Sequence, residues 1–253
     1  MTNTRSAIRE AAQILRHAEL AVALTGAGIS TPSGVPDFRS PHSGVWLNAD
    51  PMEVASLQSF RARPELFYEW IKPLARTLLN AKPNPAHFSL ARLESAGYLT
   101  LVITQNIDML HERAGSAHVL EVHGNLREAT CIHCYRTQPA PPLLERWLHD
   151  NEMPRCDSCG HVMKPNVILF GEQLPVRVFT EAKLVARQCD VMLIAGSSLE
   201  VFPVADLPVV AADHGAKLIV VNRQPTFVDN RATIVINEDV ADVLPMLVDE
   251  VLA

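Results

Sequence analysis

The sequence has no apolar run approaching the length of a membrane span; its best, VMLIAG at 191–196, is the size of one strand. Nor does it begin with a hydrophobic block. MTNTRSAIREAAQILRHAEL alternates charged and apolar residues at helical spacing, unlike a signal peptide. Basic charge is in deficit, with 22 Lys and Arg against 28 Asp and Glu and a net charge of −6. That balance speaks against a nucleic-acid backbone as the main partner and leaves room for a lysine-bearing one. Internal repeats and extended low-complexity segments are absent too. What remains is a globular chain expected in the cytoplasm, with no membrane and no direct nucleic-acid partner. At 253 residues, 48% of them hydrophobic, it can bury a core without staples.

Strand-sized apolar runs recur at 21–26, 99–104, 119–124, 166–170, 191–196, 217–222 and 233–237. Helical patterns lie near 4–17, 85–96, 178–187, 203–214 and 239–252. Continuous apolar strands alternating with helices predict an α/β fold, a Rossmann-like doubly wound parallel sheet. Two stretches break the rhythm: about 36–80, with the helical PELFYEWIKPLARTLLN, and about 125–164, with paired cysteines and TQPAPPLLERW. Both read as insertions forming a smaller domain, helical in one part and a zinc ribbon in the other. The larger domain then takes about 1–35, 81–124 and 165–253 of a single unit, 1–253.

Cys131, Cys134, Cys156 and Cys159 form two C-x2-C pairs with twenty-one residues between them. Each short gap lets two thiolates reach one tetrahedral metal, and the long gap accommodates a short antiparallel ribbon. A thioredoxin-like redox pair is the alternative. Four thiolates leave zinc no open position, so the site is structural. Cys189 stands alone beside a strand and reads as a buried core thiol.

Chemistry is expected elsewhere, at strand ends. The first strand runs into TGAGISTPSGVPDFRS, where Gly26, Ala27 and Gly28 allow a tight turn and close approach to a phosphate. A plain strand-to-helix turn would look the same, since Thr31 stands where a third glycine is usual. TQNIDMLH (104–111) and EVHG (121–124) bring amides, a carboxylate and His123 to further strand ends. AGSSLEVFPVA (195–205) and VVNRQPT (220–226) offer Ser197, Ser198, Asn222 and Arg223 to ribose or phosphate, or to ordinary loop and cap bonds.

GAGIS…SGVPDFRS, TQNIDMLH, HG, the two C-x2-C pairs, PNVILFGEQLP, GSSLEVFPVA and VNRQPT occur in the order found in sirtuins. The chain resembles that family from about residue 20 to its end. The resemblance implies an NAD-dependent protein lysine deacetylase, transferring acetyl or a longer aliphatic acyl group from lysine to ADP-ribose and releasing nicotinamide. It implies His123 as general base, with Asn106 and Asp108 at the ribose and nicotinamide, joined by Ile107 and Phe38. Ala27, Thr31, Arg39 and Gln105 would line the cofactor cleft, and Ser198, Asn222, Arg223 and Val240 its adenosine side. An acyl-lysine peptide would add as a strand between LFGE and EVFP, touching Ile168, Phe170, Gly171, Glu172 and Val201. Family members preferring succinyl or malonyl lysine carry a tyrosine and an arginine three residues apart on a helix. Here those places hold Tyr68 and Ile71, which share a helix face and are expected in one acyl pocket that favours acetyl. A mono-ADP-ribosyltransferase on the same scaffold and a silent NAD-sensing module are the rival readings.

Overall fold

The computed structural model describes residues 2–37, 45 and 49–253. Six strands, β1 (Ala21–Thr25), β2 (Leu101–Thr104), β3 (Val119–Glu121), β7 (Val191–Ala195), β8 (Lys217–Val221) and β9 (Ile234–Ile236), form one sheet. Its order is β3-β2-β1-β7-β8-β9, with every neighbouring pair parallel. This is the doubly wound arrangement, and it places the switch of direction between β1 and β7.

The strands are apolar on both sides because both sides are covered. Along β1, Ala21 and Ala23 enter one core and Val22 and Leu24 the other; along β7, Leu193 and Ile194 divide likewise. The first core is closed by α1 (Thr2–Arg16), α5 (Pro85–Ser95) and α10 (Val240–Leu252), through Leu15, Leu90 and Leu247. The second is closed by α8 (Val176–Gln188) and α9 (Leu207–Asp213), through Ala182, Ala186 and Leu207. Period-two alternation of side chains thus appears in the sequence as an unbroken apolar run. No helix among the described residues is long and apolar enough to cross a membrane.

A second sheet, β5-β4-β6, is antiparallel and built from β4 (Gly124–Cys131), β5 (Thr137–Pro139) and β6 (Met163–Val167). Its core holds α4 (Pro64–Asn80) and α7 (Ala140–Asp150) through Phe67, Tyr68, Leu74, Leu144 and Trp147. Short helices α2 (Pro51–Val54) and α3 (Leu57–Ala62) precede α4, and α6 (Leu110–Arg113) follows β2.

Three expectations are corrected here. The run at 166–170 is not a strand of the parallel sheet: the strand is Met163–Val167, antiparallel to β4, and Met163, Val167 and Leu169 sit in the second sheet's core. The run at 119–124 stops as a strand at Glu121, because Gly124 turns the chain into β4. With φ at 77° and a would-be Cβ 1.9 Å from the Asn166 carbonyl oxygen, that position admits no side chain. The gap between cysteine pairs holds β5 and an eleven-residue helix, α7, rather than a simple ribbon.

Candidate active site

Where β1 and β7 separate, the chain leaves β1 through Gly26 into a 3-10 turn, Ala27–Ile29. The turn lies directly on the backbone that follows β7. A Cβ on Gly28 would sit 2.8 Å from the Gly196 oxygen, and one on Gly196 (φ 61°) 2.3 Å from the Ile29 nitrogen. Glycine is therefore required on both sides of the contact. Ile29 N–H already bonds Gly26 O (3.1 Å), so the amides of Ala27 and Gly28 precede the turn's own bonding and form its donor end. The cradle fits a phosphate-bearing ligand at the sheet's switch point.

Beside it, the Gln105 side chain donates to Ser197 Oγ at 3.0 Å, and Ser197 Oγ accepts Leu199 N–H at 3.2 Å. His123 follows β3, and its Nδ1 lies 3.2 Å from the Gln105 carbonyl. A carbonyl only accepts, so Nδ1 carries the proton and Nε2 keeps its lone pair. Burial lowers the His123 pKa below its ordinary value, against the opposing pull of that hydrogen bond. The ring is a neutral base near pH 7.

Under these groups runs a buried polar network. Ser30 Oγ donates to Asp108 Oδ2 at 2.6 Å and receives Asn106 Nδ2 at 3.0 Å. Asp108 Oδ1 accepts Leu110 N–H at 2.9 Å and anchors α6. Burial raises the Asp108 pKa, while the Ser30 and Leu110 bonds act the other way. His87 Nδ1 accepts Asn84 N–H (3.3 Å), closing the capping box of α5, and turns Nε2–H toward Ser30 Oγ (3.4 Å). Thr25 Oγ1 donates to Thr104 Oγ1 (2.9 Å), so the His111 Nε2 at 2.9 Å is the donor to Thr25. Ser30, His87, Asn84, Thr25, Thr104 and His111 escaped the sequence reading. Thr25, Ser30, Thr104 and His111 fall inside the quoted motifs, but only the fold brings them together.

The other expected residues are distributed as follows. Ile107 is half-buried and Thr31 returns its hydroxyl to Gly28 O at 3.0 Å. Ser198 is exposed. Asn222 is buried and donates to Gln224 O at 2.7 Å, while the Arg223 guanidinium is engaged with Asp239, the N-cap of α10. Val240 is the first buried residue of that helix. Phe38 and Arg39 lie outside the described residues.

The stretch 168–172 is held from several directions. Ile168 N–H bonds His123 O at 2.9 Å, and Phe170 exchanges backbone bonds with Ala55 and Leu57, both 2.9 Å. Glu172 accepts Leu169 N–H (3.0 Å) and buried Lys164 (3.1 Å), which also bonds the Val167 carbonyl at 2.8 Å. Gly171 takes φ 76°, and Phe170 remains exposed, as does Phe202 beside half-buried Val201. Ile168 and Glu172 also line a groove of about 540 Å³ with Glu121, Asn125, Arg127 and Lys164; His123 is not part of its wall.

Tyr68 and Ile71 are both buried on α4 but have different neighbours. Ile71 borders a small apolar cavity with Phe67, Ile107, Leu126, Leu144 and Val167, which Tyr68 does not line. The Tyr68 hydroxyl instead bonds the Met163 carbonyl at 2.5 Å, because a buried phenol needs an acceptor. Lys72 is turned to Asn151 and over the Trp147 ring.

Away from this cleft, the four paired cysteines converge. Sγ separations are 3.5 Å for Cys131–Cys159, 3.7 Å for Cys134–Cys156 and 3.5 Å for Cys134–Cys159. These exceed the length of a disulfide, about 2 Å, and approach the edge of a zinc–sulfur tetrahedron, about 3.8 Å from a bond of about 2.3 Å. Tyr135 (φ 59°) and Gly160 (φ 72°) close the two knuckles, each returning its N–H to the carbonyl of the knuckle's first cysteine. The cluster is built for one zinc ion with no vacant position. Cys189 is separate and buried, and burial pushes its thiol up to about 12.

The model of the Sir2 family matches residues 26–203. An "NAD-dependent protein deacylase 2" of Archaeoglobus fulgidus is 46% identical over 245 residues, covering 96% of each chain. A solved Sir2 complex with deacetylated p53 peptide and 3'-O-acetyl-ADP-ribose is 40% identical with a TM-score of 0.91, covering 96% of this chain and 98% of that one. A Sir2 protein bound to a myristoylated histone peptide is 41% identical with a TM-score of 0.82, covering 97% and 96%. Matched by that family model over most of its length and by relatives 40–46% identical across nearly the whole chain, the chain belongs to the Sir2 family, the sirtuins.

Proposed function

We propose that the protein is an NAD-dependent protein lysine deacetylase that also takes longer aliphatic acyl groups, with nicotinamide, O-acyl-ADP-ribose and free lysine as products. The observation that carries this is His123: a neutral imidazole whose Nδ1–H is fixed on the Gln105 carbonyl, so that Nε2 is the base. NAD, when bound, supplies the ribose that accepts the acyl group. The glycine cradle of Gly26, Ala27 and Gly28, with Thr31, Gln105, Ser197 and Ser198, binds its phosphates and riboses. Asn222, Arg223 and Val240 border the adenosine, and Phe38 and Arg39 complete the cleft. Asn106, Ile107 and Asp108, braced by Ser30, position the reacting ribose and the nicotinamide. His123 Nε2 takes a proton from a ribose hydroxyl.

The acyl-lysine peptide docks by main-chain pairing against Ile168, Phe170, Gly171 and Glu172 on one side and Val201 on the other. Ile71, apolar where an arginine would be needed to pair a carboxylate, supports an uncharged acyl chain. The chain divides into a larger unit, expected at about 1–35, 81–124 and 165–253, and a smaller one, expected at 36–80 and 125–164; because β6 pairs with β4, the smaller unit reaches to Val167. Five free cysteines fit the reducing cytoplasm.

Incubation with NAD and an acetyl-lysine peptide, read by mass, should give O-acetyl-ADP-ribose and free lysine. His123→Ala should lower kcat by roughly 100-fold or more, the scale of a lost general base, with NAD affinity retained. Undiminished turnover in that variant, or transfer of ADP-ribose to protein as the main product, would overturn the reading.

A further inference from the structure

The cysteine cluster has a neighbour that a structural zinc site does not need. His133 sits between Cys131 and Cys134, and His161 follows Cys159 by two residues. Both rings are exposed and stack on each other, with centroids 3.9 Å apart and an interplanar angle of 8°. One ligand atom each from His133, Cys159 and His161 lies within 4.8 Å of the others. His161 Nδ1 lies 3.1 Å from the Cys159 carbonyl. Because the carbonyl only accepts, Nδ1 carries the hydrogen and Nε2 is left with a free lone pair. That is how metal-binding histidines are oriented, by an outer hydrogen bond that fixes the tautomer.

We propose that His133, Cys159 and His161 form a second transition-metal site, sharing Cys159 as a bridging thiolate with the zinc held by the four cysteines. Electrostatics favours it. Four thiolates around one divalent zinc carry a net charge of about −2, and a second divalent ion against their edge neutralises it. Two imidazoles and a thiolate select a borderline or soft ion such as Zn²⁺ over Mg²⁺ or Ca²⁺. Three protein ligands leave the fourth position to water, so this ion would be exchangeable where the first is not. The 4.8 Å spread is wider than a bound set, but exposed histidines can rotate inward without disturbing a core.

The test uses tag-free protein whose metal content is first shown to be one zinc per chain, so a failure of the four-cysteine site is recognised before titration. Titration with Zn²⁺ should show one further equivalent bound in the micromolar range. His133→Ala and His161→Ala should each weaken it by about 100-fold or more, since even an outer partner of a ligand is worth about 10–100-fold. Both variants should keep the resident zinc and the thermal midpoint. His149→Ala, which removes an exposed histidine outside the cluster, should leave the titration unchanged. Co²⁺ added to the zinc-loaded protein should give a thiolate-to-cobalt charge-transfer band through Cys159. No second equivalent, a second equivalent that survives both cluster substitutions, or cobalt binding without that band would overturn the proposal.

Discussion

At His87 the folded chain has placed an imidazole where a proton is unwelcome. The ring is fully buried, and burial lowers its pKa to about 4 from 6.5. The pKa of its neighbour His111, 4.9 Å away ring to ring, is also held well below the ordinary value, by burial and then by repulsion from His87. Between about 4 and 6.5 the unfolded chain therefore holds a proton on His87 that the folded chain does not. Stability rises with pH across that window and is lost on acidification, by about 3 kcal/mol for this residue alone at the lower end. Asp108, with its pKa raised by burial, works in the opposite direction below neutrality. The comparison with His87→Gln isolates the histidine, since glutamine can keep the capping-box bond to Asn84 N–H. Urea midpoints measured from pH 7 down to pH 5 should fall less steeply in the variant. Equal slopes would show that His87 is not the proton site. None of this was legible in NPAHFS. Helical spacing places residue 87 on an inner face, but its partner Ser30 lies 57 residues earlier, and only tertiary structure joins them.

Helix α4 was legible to its ends: PELFYEWIKPLARTLLN occupies Pro64–Asn80, opened by a proline at its first position and bearing an apolar face. The helix pattern did not reveal which inward residue faces which neighbour. Tyr68 and Ile71 share a side by spacing, yet the phenol is drawn to a carbonyl 95 residues away, and Phe67 takes the place beside Ile71. On the function proposed above, the acyl preference then rests on Ile71 more than on the pair. An unpaired succinyl carboxylate buried against Ile71 would cost several kcal/mol. Acetyl-lysine should be cleaved well ahead of succinyl-lysine on one peptide at one NAD concentration, and Ile71→Arg should shift that ratio toward succinyl by about tenfold or more. Faster removal of succinyl by the wild type would sink the idea. Because the tyrosine is committed to Met163, Ile71→Arg should recover only part of the specificity that a tyrosine–arginine pair provides.

Over the whole molecule, the parallel sheet was readable because each strand is covered on both faces, and double covering writes an unbroken apolar run. The same signature misassigned 166–170. An apolar run records burial, not the identity or direction of the neighbouring strand, and β6 is buried against β4 instead. Separate cores predict separate losses. Stripping zinc, or Cys131→Ser, should loosen β4, β5, β6 and α7, while the six-stranded sheet with its own two cores stays folded. Metal binding supplies on the order of 10 kcal/mol in isolated zinc fingers, and a supported cluster would lose less. Hydrogen exchange by mass spectrometry should find deprotection confined to 124–167; uniform deprotection would refute the separation. One bond closes the chain on either side of the second sheet at the chemistry itself, Ile168 N–H to the His123 carbonyl. That bond puts the proposed peptide-docking segment, 168–172, and the proposed base on a common lever. A peptide that stiffens one end of it steadies the other, so an enzyme waiting without peptide would be one whose base is also not fully set.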